Sequence, residues 1–187
     1  MSARLTFICQ GTTAAVKSSA FPNDEPLEVR AMEAAGVLGK EPLRATVAYR
    51  SPAVAALQTS EALSLDALPV DDLRDCDYGR WAGRKLADLH TEDPVALEKW
   101  LRDMNAAPHG GESLSAVCLR VSAWLKTLVS RRERIVAITH SAVMRAAVLD
   151  VLNAPSKAFW HIDIEPLGVI EFRSDGRRWH FRAGNLR

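Results

Sequence analysis

Residues 135–152 read IVAITHSAVMRAAVLDVL, an apolar run that ends in Thr-His-Ser and continues into an alanine-rich stretch. Residues 135–138 carry no polar side chain on either face, which indicates a strand covered on both sides by helices, as in a parallel sheet. Residues 142–152 favour a helix. His140 and Ser141 therefore lie where open α/β sheets place their ligands, at the carboxyl end of a strand.

Two more strands are predicted on the N-terminal side. Apolar residues 5–9 form the first and end at the turn Gln10-Gly11-Thr12-Thr13, and residues 46–49 form the second and lead into Ser51-Pro52. A helix is predicted over residues 26–38 from its apolar spacing. Another is predicted from Ser51, as the capping hydroxyl, to about residue 63.

The remaining segments complete an alternating pattern. They are a third strand over 68–73, two short helices within 84–105, a long helix capped by Ser113 after the turn PHGGES, and a hairpin of 169–173 with 178–182. Such alternation predicts one α/β domain over residues 1–187. We expect a three-layer sandwich with a mostly parallel central sheet, flanked by helices and finished by an antiparallel C-terminal hairpin.

Composition narrows the classes of partner. A formal net charge of +1 gives no basic footprint for nucleic acid, so no nucleic-acid partner is expected. Three cysteines without paired spacing indicate neither a disulfide framework nor a zinc module, and no cofactor is expected. The N-terminus lacks the apolar segment of a signal peptide, and no stretch is typical of a membrane span. A cytoplasmic protein is expected, and the oligomeric state is left open.

Four separated segments carry a family resemblance. They are LTFICQGTT (5–13), AYRSPAVAALQTS (48–60), LRDCDYGRWAG (73–83) and ITHSAVMRA (138–146). In this order they resemble the landmarks of the histidine phosphatase (phosphoglycerate-mutase-like) superfamily. The resemblance implies that family's fold and a pocket formed by the four segments.

The resemblance also implies roles for particular positions. The family's Arg-His-Gly signature corresponds to Cys9, Gln10 and Gly11, and Ala55 stands where the second phosphate-binding arginine belongs. Asp75 occupies the position of the general acid, and His140 that of the second pocket histidine. The residues of phosphoryl transfer are thus replaced, while the acid and one histidine remain.

These replacements predict a change of chemistry. An amide nitrogen is not basic at neutral pH, so Gln10 can hold a ligand by hydrogen bonds but cannot form the family's phosphohistidine. We therefore expect a pseudoenzyme that binds a small anionic or polar ligand, or a protein partner, through the altered pocket. The candidate binding residues are Gln10, Cys9, Gly11, Arg50, Ser51, Ala55 and Ser141, beside His140 and Asp75.

The sequence leaves alternatives open. In one, a phosphomonoesterase works by a rearranged mechanism, in which His140 activates water, Asp75 protonates the leaving oxygen and Arg50 supplies positive charge. Arg80 and Arg145 are further candidates for that charge. In another, Cys9, Asp75 and His140 bind a metal ion. In the last, the pocket is vestigial and the surface carries an interaction module. Cys9 is not expected to act as a nucleophile, because no cation beside it lowers its pKa.

Overall fold

The computed structural model of the protein describes residues 2–40 and 43–183. Within them, the strands are β1 (Arg4–Cys9), β2 (Val47–Arg50), β3 (Ala67–Pro69), β4 (Arg134–Thr139), β5 (Val169–Ser174) and β6 (Trp179–Arg182). The helices are α1 (Ala14–Ser18), α2 (Val29–Leu38), α3 (Val54–Ala62), α4 (Leu86–Glu92), α5 (Pro94–Arg102), α6 (Leu114–Leu128) and α7 (Ser141–Leu152).

The strands form one sheet in the order β3-β2-β4-β1-β5-β6. Strands β3, β2, β4 and β1 are mutually parallel, whereas β5 runs antiparallel to both β1 and β6. This confirms the predicted mostly parallel sheet with an antiparallel C-terminal hairpin. Because β2, β4 and β1 are parallel neighbours, their carboxyl ends meet at one edge of the sheet.

The central strand β4 has a covered surface on each side, as its uninterrupted apolar sequence predicts. Ile135 and Ala137 belong to a large cluster that includes side chains of α6 and α7, and Val136 and Ile138 pack with Ala56 of α3 on the opposite face. These four residues of β4 are at most 4% exposed. The three layers of the fold therefore follow from this alternation.

The long helix α6 begins as predicted. The Ser113 hydroxyl accepts a hydrogen bond from the Ala116 amide, and one face of the helix is buried through Leu114, Val117, Val121, Leu125 and Leu128. Trp124 on the same helix packs against Phe7 of β1, with ring centroids 5.9 Å apart. These contacts fix α6 against the sheet.

The prediction that Ser51 caps helix α3 is wrong. The helix begins at Val54, because Ala53 has an extended backbone (ψ 146°) and the Ser51 hydroxyl is used elsewhere. Asp24 takes over the capping role from a distant loop, where its Oδ1 accepts a hydrogen bond from the Val54 amide at 2.8 Å.

Two other elements differ from the sequence expectation. The short helix α1 is not among the predicted elements, and it begins after Thr13, whose side chain accepts from the Val16 amide. Strand β3 ends at Pro69, and Asp71–Leu73 forms a 3₁₀ turn instead of continuing the strand. In residues 2–40 and 43–183 no helix is long and apolar enough to cross a membrane.

Candidate functional site

The parallel strands bring three polar residues together. The Gln10 amide after β1 donates to the Thr139 carbonyl at 2.7 Å, and the Ser51 amide after β2 donates to the Ile138 carbonyl at 2.8 Å. Both bonds extend the sheet pairing to β4, which ends just before His140. Gln10, Ser51 and His140 are therefore placed side by side by the backbone ladder itself.

These residues line a cavity of about 370 Å³ at the carboxyl edge of the sheet. The volume is within the range of small-molecule sites. Segments 22–25 and 74–78 supply most of the remaining wall. The full lining is Gln10, Pro22, Asn23, Asp24, Glu25, Ser51, Pro52, Ala53, Ala55, Arg74, Asp75, Cys76, Asp77, Tyr78, Ala82 and His140.

His140 lies between two polar side chains. Its Nε2 is 2.8 Å from the Ser51 Oγ, and its Nδ1 is 3.5 Å from the Asp75 Oδ2. Ser51 Oγ also accepts from the Ala53 amide at 3.2 Å. When the Ser51 hydroxyl donates to Nε2, the His140 proton lies on Nδ1 and faces Asp75.

The His140 ring is neutral at neutral pH. Burial lowers its pKa below the ordinary 6.5, and the attraction of the Asp75 carboxylate offsets this only in part. Nδ1 has no partner within hydrogen-bonding geometry, so the Asp75 contact is mainly electrostatic. The side chains are arranged in the order Ser51, His140, Asp75. The Ser51–His140 contact is short and the His140–Asp75 contact is longer.

Gln10 has an unpartnered polar side-chain atom in the site, as His140 does at Nδ1. Its side chain lines the cavity and the residue is 8% exposed, but the amide oxygen Oε1 forms no hydrogen bond. A buried amide oxygen without a donor is rare in folded proteins, since it costs the desolvation of that group. The Gln10 amide oxygen is thus an unsatisfied acceptor in a residue that lines the cavity.

The loop that carries Asp75 is held from behind by Arg120 of α6. The Arg120 guanidinium donates to the backbone carbonyls of Asp72 at 2.7 Å and Asp75 at 3.1 Å, and it pairs with both Glu112 carboxylate oxygens at 2.8 and 3.0 Å. On the same side, the backbone of Gly111 lies close to the Asp77 backbone. A Cβ at position 111 would be 2.1 Å from the Asp77 carbonyl oxygen. These contacts fix the position of Asp75.

None of the three arginines considered from the sequence lines the cavity. Arg50 donates to the Ser51 carbonyl at 3.0 Å, Arg80 pairs with Asp93 at 3.0 Å, and Arg145 donates to the Ile162 carbonyl at 2.8 Å. The described part of the cavity wall contains one guanidinium, Arg74, which is not among the residues predicted from the sequence. Its position beside Asp75 in the family-like loop is the signal that would have found it.

Three carboxylates of the cavity, those of Asp24, Glu25 and Asp77, are not among the site residues predicted from the sequence. Asp24 and Glu25 belong to a Pro-Asn-Asp-Glu-Pro stretch whose pattern predicts the start of a helix. Burial acts to raise the Glu25 pKa, but hydrogen bonds from the Asn23 amide and the Thr13 hydroxyl outweigh it and lower the pKa overall. Nothing in the local pattern places this loop opposite strand ends, because the contact is made only by the fold.

The other candidate residues have supporting positions. Ala55 lines the cavity and packs with Leu27 and Ala31, whereas Cys9, Gly11 and Ser141 are not part of the wall. Gly11 donates its amide to the Thr59 hydroxyl at 3.1 Å, and a Cβ there would lie 3.2 Å from Leu27. A side chain at position 11 would therefore require Leu27 and the α2 residue Ala31 to shift by a few tenths of an ångström.

Cys9 is a buried thiol. Burial, assisted by the Asp75 carboxylate, raises the Cys9 pKa from 9.0 to about 12, so the nucleophilic thiolate is absent at neutral pH. Within the described residues no group of three or more histidine, cysteine, aspartate or glutamate side chains is arranged to hold a metal ion. Cys9, Asp75 and His140 therefore do not form the metal site considered from the sequence.

Comparison with known sequences identifies relatives. A family model described as the histidine phosphatase superfamily (branch 1) matches residues 11–187. The bifunctional protein Rv2228c of Mycobacterium tuberculosis is 31% identical over 125 residues, which are 65% of this chain and 34% of that protein. The chain thus spans about a third of that relative's length. Phosphoserine phosphatase 1 of Hydrogenobacter thermophilus is 28% identical over 164 residues, 83% of this chain and 78% of that protein.

Solved structures share the fold. Phosphoserine phosphatase from Entamoeba histolytica, in complex with 3-phosphoglyceric acid, has a TM-score of 0.87 at 18% identity and covers 99% of this chain and 98% of that one. The mycobacterial glucosyl-3-phosphoglycerate phosphatase Rv2419c with VO₃ has a TM-score of 0.84 at 22% identity, covering 98% and 99%. The sequence match and the shared fold agree with the resemblance of the four segments, and the chain belongs to the histidine phosphatase superfamily.

Proposed function

We propose that this protein uses the cavity to bind a small polar ligand and does not pass through a phosphohistidine. The proposal includes the loss of the family's Arg-His-Gly signature, with Cys9 and Gln10 in place of the first two residues. His140, Asp75, Ser51 and Gln10 are then ligand-contacting or positioning residues of a retained pocket. The protein would then be a pseudoenzyme of its family.

The state of the one imidazole in the described cavity wall carries this proposal. A phosphoryl acceptor must present a free, neutral ring nitrogen to the substrate. His140 has Nε2 engaged by Ser51 at 2.8 Å, and its Nδ1 faces Asp75. The neighbouring strand end supplies Gln10, an amide, where the resemblance implies the nucleophile.

The charges of the cavity support a polar ligand over a phosphate ester. Phosphate dianions are held by forked guanidinium groups, and each charge-assisted hydrogen bond contributes about 1.5–3 kcal/mol. The described cavity wall has one guanidinium, that of Arg74, and four carboxylates, those of Asp24, Glu25, Asp75 and Asp77. Of the two ligand classes expected from the sequence, the structure therefore favours the polar one over the anionic one.

A phosphate-release assay tests the catalytic half of the proposal. Phosphoserine, 3-phosphoglycerate and p-nitrophenyl phosphate are incubated separately with the wild-type protein and with a His140→Ala variant. We expect release at the rate of the enzyme-free blank for both proteins. Turnover above the blank that is lost in His140→Ala would overturn the proposal.

A Gln10→Leu variant tests the binding half. Since the Gln10 Oε1 has no partner to lose, this variant should fold with at least wild-type stability. We expect it to lose affinity for polar metabolites that raise the melting temperature of the wild type. Retained affinity in a folded Gln10→Leu protein would argue against this site.

A phosphomonoesterase with a rearranged mechanism is the second candidate. It is favoured by the Ser51–His140–Asp75 contacts and by relatives that are named as phosphatases. His140 would accept a proton from water or from Ser51, and Asp75 would protonate the leaving oxygen. Arg50 does not line the cavity, so Arg74 would supply the charge. Turnover that disappears in both Asp75→Asn and His140→Ala would establish this candidate, whereas inactivity on all three esters would remove it.

A further inference from the structure

The cavity has an excess of negative charge. Asp24, Glu25, Asp75 and Asp77 line it, and within residues 2–40 and 43–183 none of them forms an ion pair with a lysine or arginine. Their defined contacts are mainly with backbone amides, such as that of Val54 to Asp24 and that of Gly79 to Asp77, both at 2.8 Å. Backbone amides orient a carboxylate but do not neutralise its charge.

Arg74 does not balance this charge. Its guanidinium is shared between Asp71 at 2.8 Å and Glu112 at 3.3 Å, outside the group of four carboxylates. Glu112 is paired in addition with Arg120 at 2.8 Å. The two arginines and these two acids form a balanced set. His140 adds no positive charge, because its ring is neutral. The four carboxylates therefore face the same cavity without a counter-charge.

Gln10 provides an independent sign of a ligand. Its side chain lines the cavity, the residue is 8% exposed, and its amide oxygen has no donor. An acceptor of this kind is satisfied by a ligand that brings N–H groups. The same ligand would reduce the repulsion among the carboxylates if it were positively charged.

A bare metal ion does not fit these positions. The described residues contain no group of three or more acidic, histidine or cysteine side chains close enough to share one ion. A cavity of about 370 Å³ instead has room for an organic molecule. A larger cation with several donors can reach both the 24–25 loop and the 75–77 loop.

We propose that the cavity selects a small organic cation, one that carries a protonated amine or a guanidinium group. This inference rests on the proposed function, because it names the ligand class of the same site. The ligand's N–H groups would be accepted by Gln10 and by the carboxylates of Asp24, Glu25 and Asp75. The charge preference is then opposite to that of a phosphate-binding pocket.

The test is a binding panel matched for size and differing in charge. Agmatine, ethanolamine and 1,4-diaminobutane are the cations, glycerol is the neutral probe, and phosphoserine and 3-phosphoglycerate are the anions. Each is titrated into the intact protein at low salt by calorimetry, with melting temperature as a second readout. The test variant is Asp24→Asn/Glu25→Gln, which keeps the oxygen that accepts each hydrogen bond. The matched control is Glu61→Gln/Asp66→Asn, which removes two exposed acids outside the cavity.

We expect at least one cation to bind, with a roughly tenfold or greater loss of affinity in the cavity variant and none in the control. Added salt should weaken the binding by screening. Failure of all three cations, or equal binding to the two variants, would overturn the inference. Preferential binding of the anions without phosphate release would also overturn it, together with the preference for a polar ligand, but would leave the proposed absence of a phosphohistidine standing. Phosphate release that depends on His140 would instead overturn the proposed function itself.

Discussion

The Ser51 hydroxyl oxygen and the His140 Nε2 are 2.8 Å apart, and both residues are almost wholly buried. Their contact joins the ends of β2 and β4, which are neighbours in the sheet. The histidine ring is therefore held in one orientation by a neighbouring strand end. Stability at this point depends on the hydrogen bond, since neither group has access to bulk water.

Removal of the Ser51 hydroxyl should destabilise the fold. A Ser51→Ala variant leaves Nε2 of His140 buried without a partner, and we expect a loss of about 1–3 kcal/mol in the free energy of unfolding. Urea denaturation measures it. Ser156→Ala, at an exposed serine, is the control and should stay within about 0.5 kcal/mol of the wild type. Equal stability of the Ser51→Ala and wild-type proteins would show that the contact is not formed.

Stability should fall in mild acid because of His140. Its folded-state pKa lies below 6.5, chiefly through burial, so the unfolded chain binds a proton in a pH range where the folded protein does not. The contribution is complete above about pH 6.5 and is lost as the pH falls below that value. We expect the free energy of unfolding to be lower at about pH 5.5 than at about pH 7.5.

A His140→Gln variant should have a flatter dependence of stability on pH than the wild type. His109, whose pKa is also lowered by burial, accounts for part of the slope that remains. His90→Gln, at an exposed histidine of α4, is the control and should leave the slope unchanged. The idea fails if His140→Gln and the wild type have the same slope between the two pH values.

Loss of Arg120 should destabilise the Asp75 loop. Arg120 and Glu112 side chains are each 11% exposed, and breaking such a pair leaves a poorly solvated charge. We expect Arg120→Met to cost about 3 kcal/mol in thermal or urea unfolding. The matched control is Arg102→Met, because Arg102 forms an exposed ion pair with Glu98 whose loss should cost less than about 1 kcal/mol. Similar costs for the two variants would contradict the role assigned to Arg120.

Two glycine substitutions should have opposite effects. A Cβ at position 111 would lie 2.1 Å from the Asp77 carbonyl oxygen, so Gly111→Ala must displace the loop and should destabilise the protein by more than about 2 kcal/mol. Gly36 lies inside α2, where an added methyl group would meet nothing within 4 Å, and Gly36→Ala should stabilise the protein by about 0.5–1 kcal/mol. Melting temperatures of the two variants give the comparison. A tolerated Gly111→Ala would mean that the two loops are not packed this closely.

The sequence predicts the strand ends better than the walls of the site. Apolar runs locate β1 and β4, and the rule that parallel strands end at one edge then brings Gln10 and His140 together. The assignment of Ser113 as a helix cap is confirmed, because its bond is made within four residues. The assignment of Ser51 as a helix cap is wrong, because its hydroxyl forms a hydrogen bond with His140, which is far away in the sequence.

The charge of the cavity depends on contacts that no local pattern contains. Asp24 reaches the site by capping α3 from a distant loop, and Arg50 is turned away by a bond to the Ser51 carbonyl. Arg74 lies beside Asp75 in the sequence, but its pairing with Glu112 joins two separate segments. The family resemblance gives positions for the catalytic groups but no information on the charged residues that surround them.

A search for a covalent phosphoenzyme determines whether a histidine of this protein accepts a phosphoryl group. The wild-type protein is mixed with excess radiolabelled phosphoserine at neutral pH, quenched at short times and analysed for phosphate bound to histidine, which is labile in acid and stable in base. We expect no label on the protein above that of a His140→Ala sample, since Gln10 cannot accept the phosphoryl group and the His140 ring is held between Ser51 and Asp75. Acid-labile, base-stable label that accumulates on a histidine of the wild-type protein would show that the reaction does pass through a phosphohistidine.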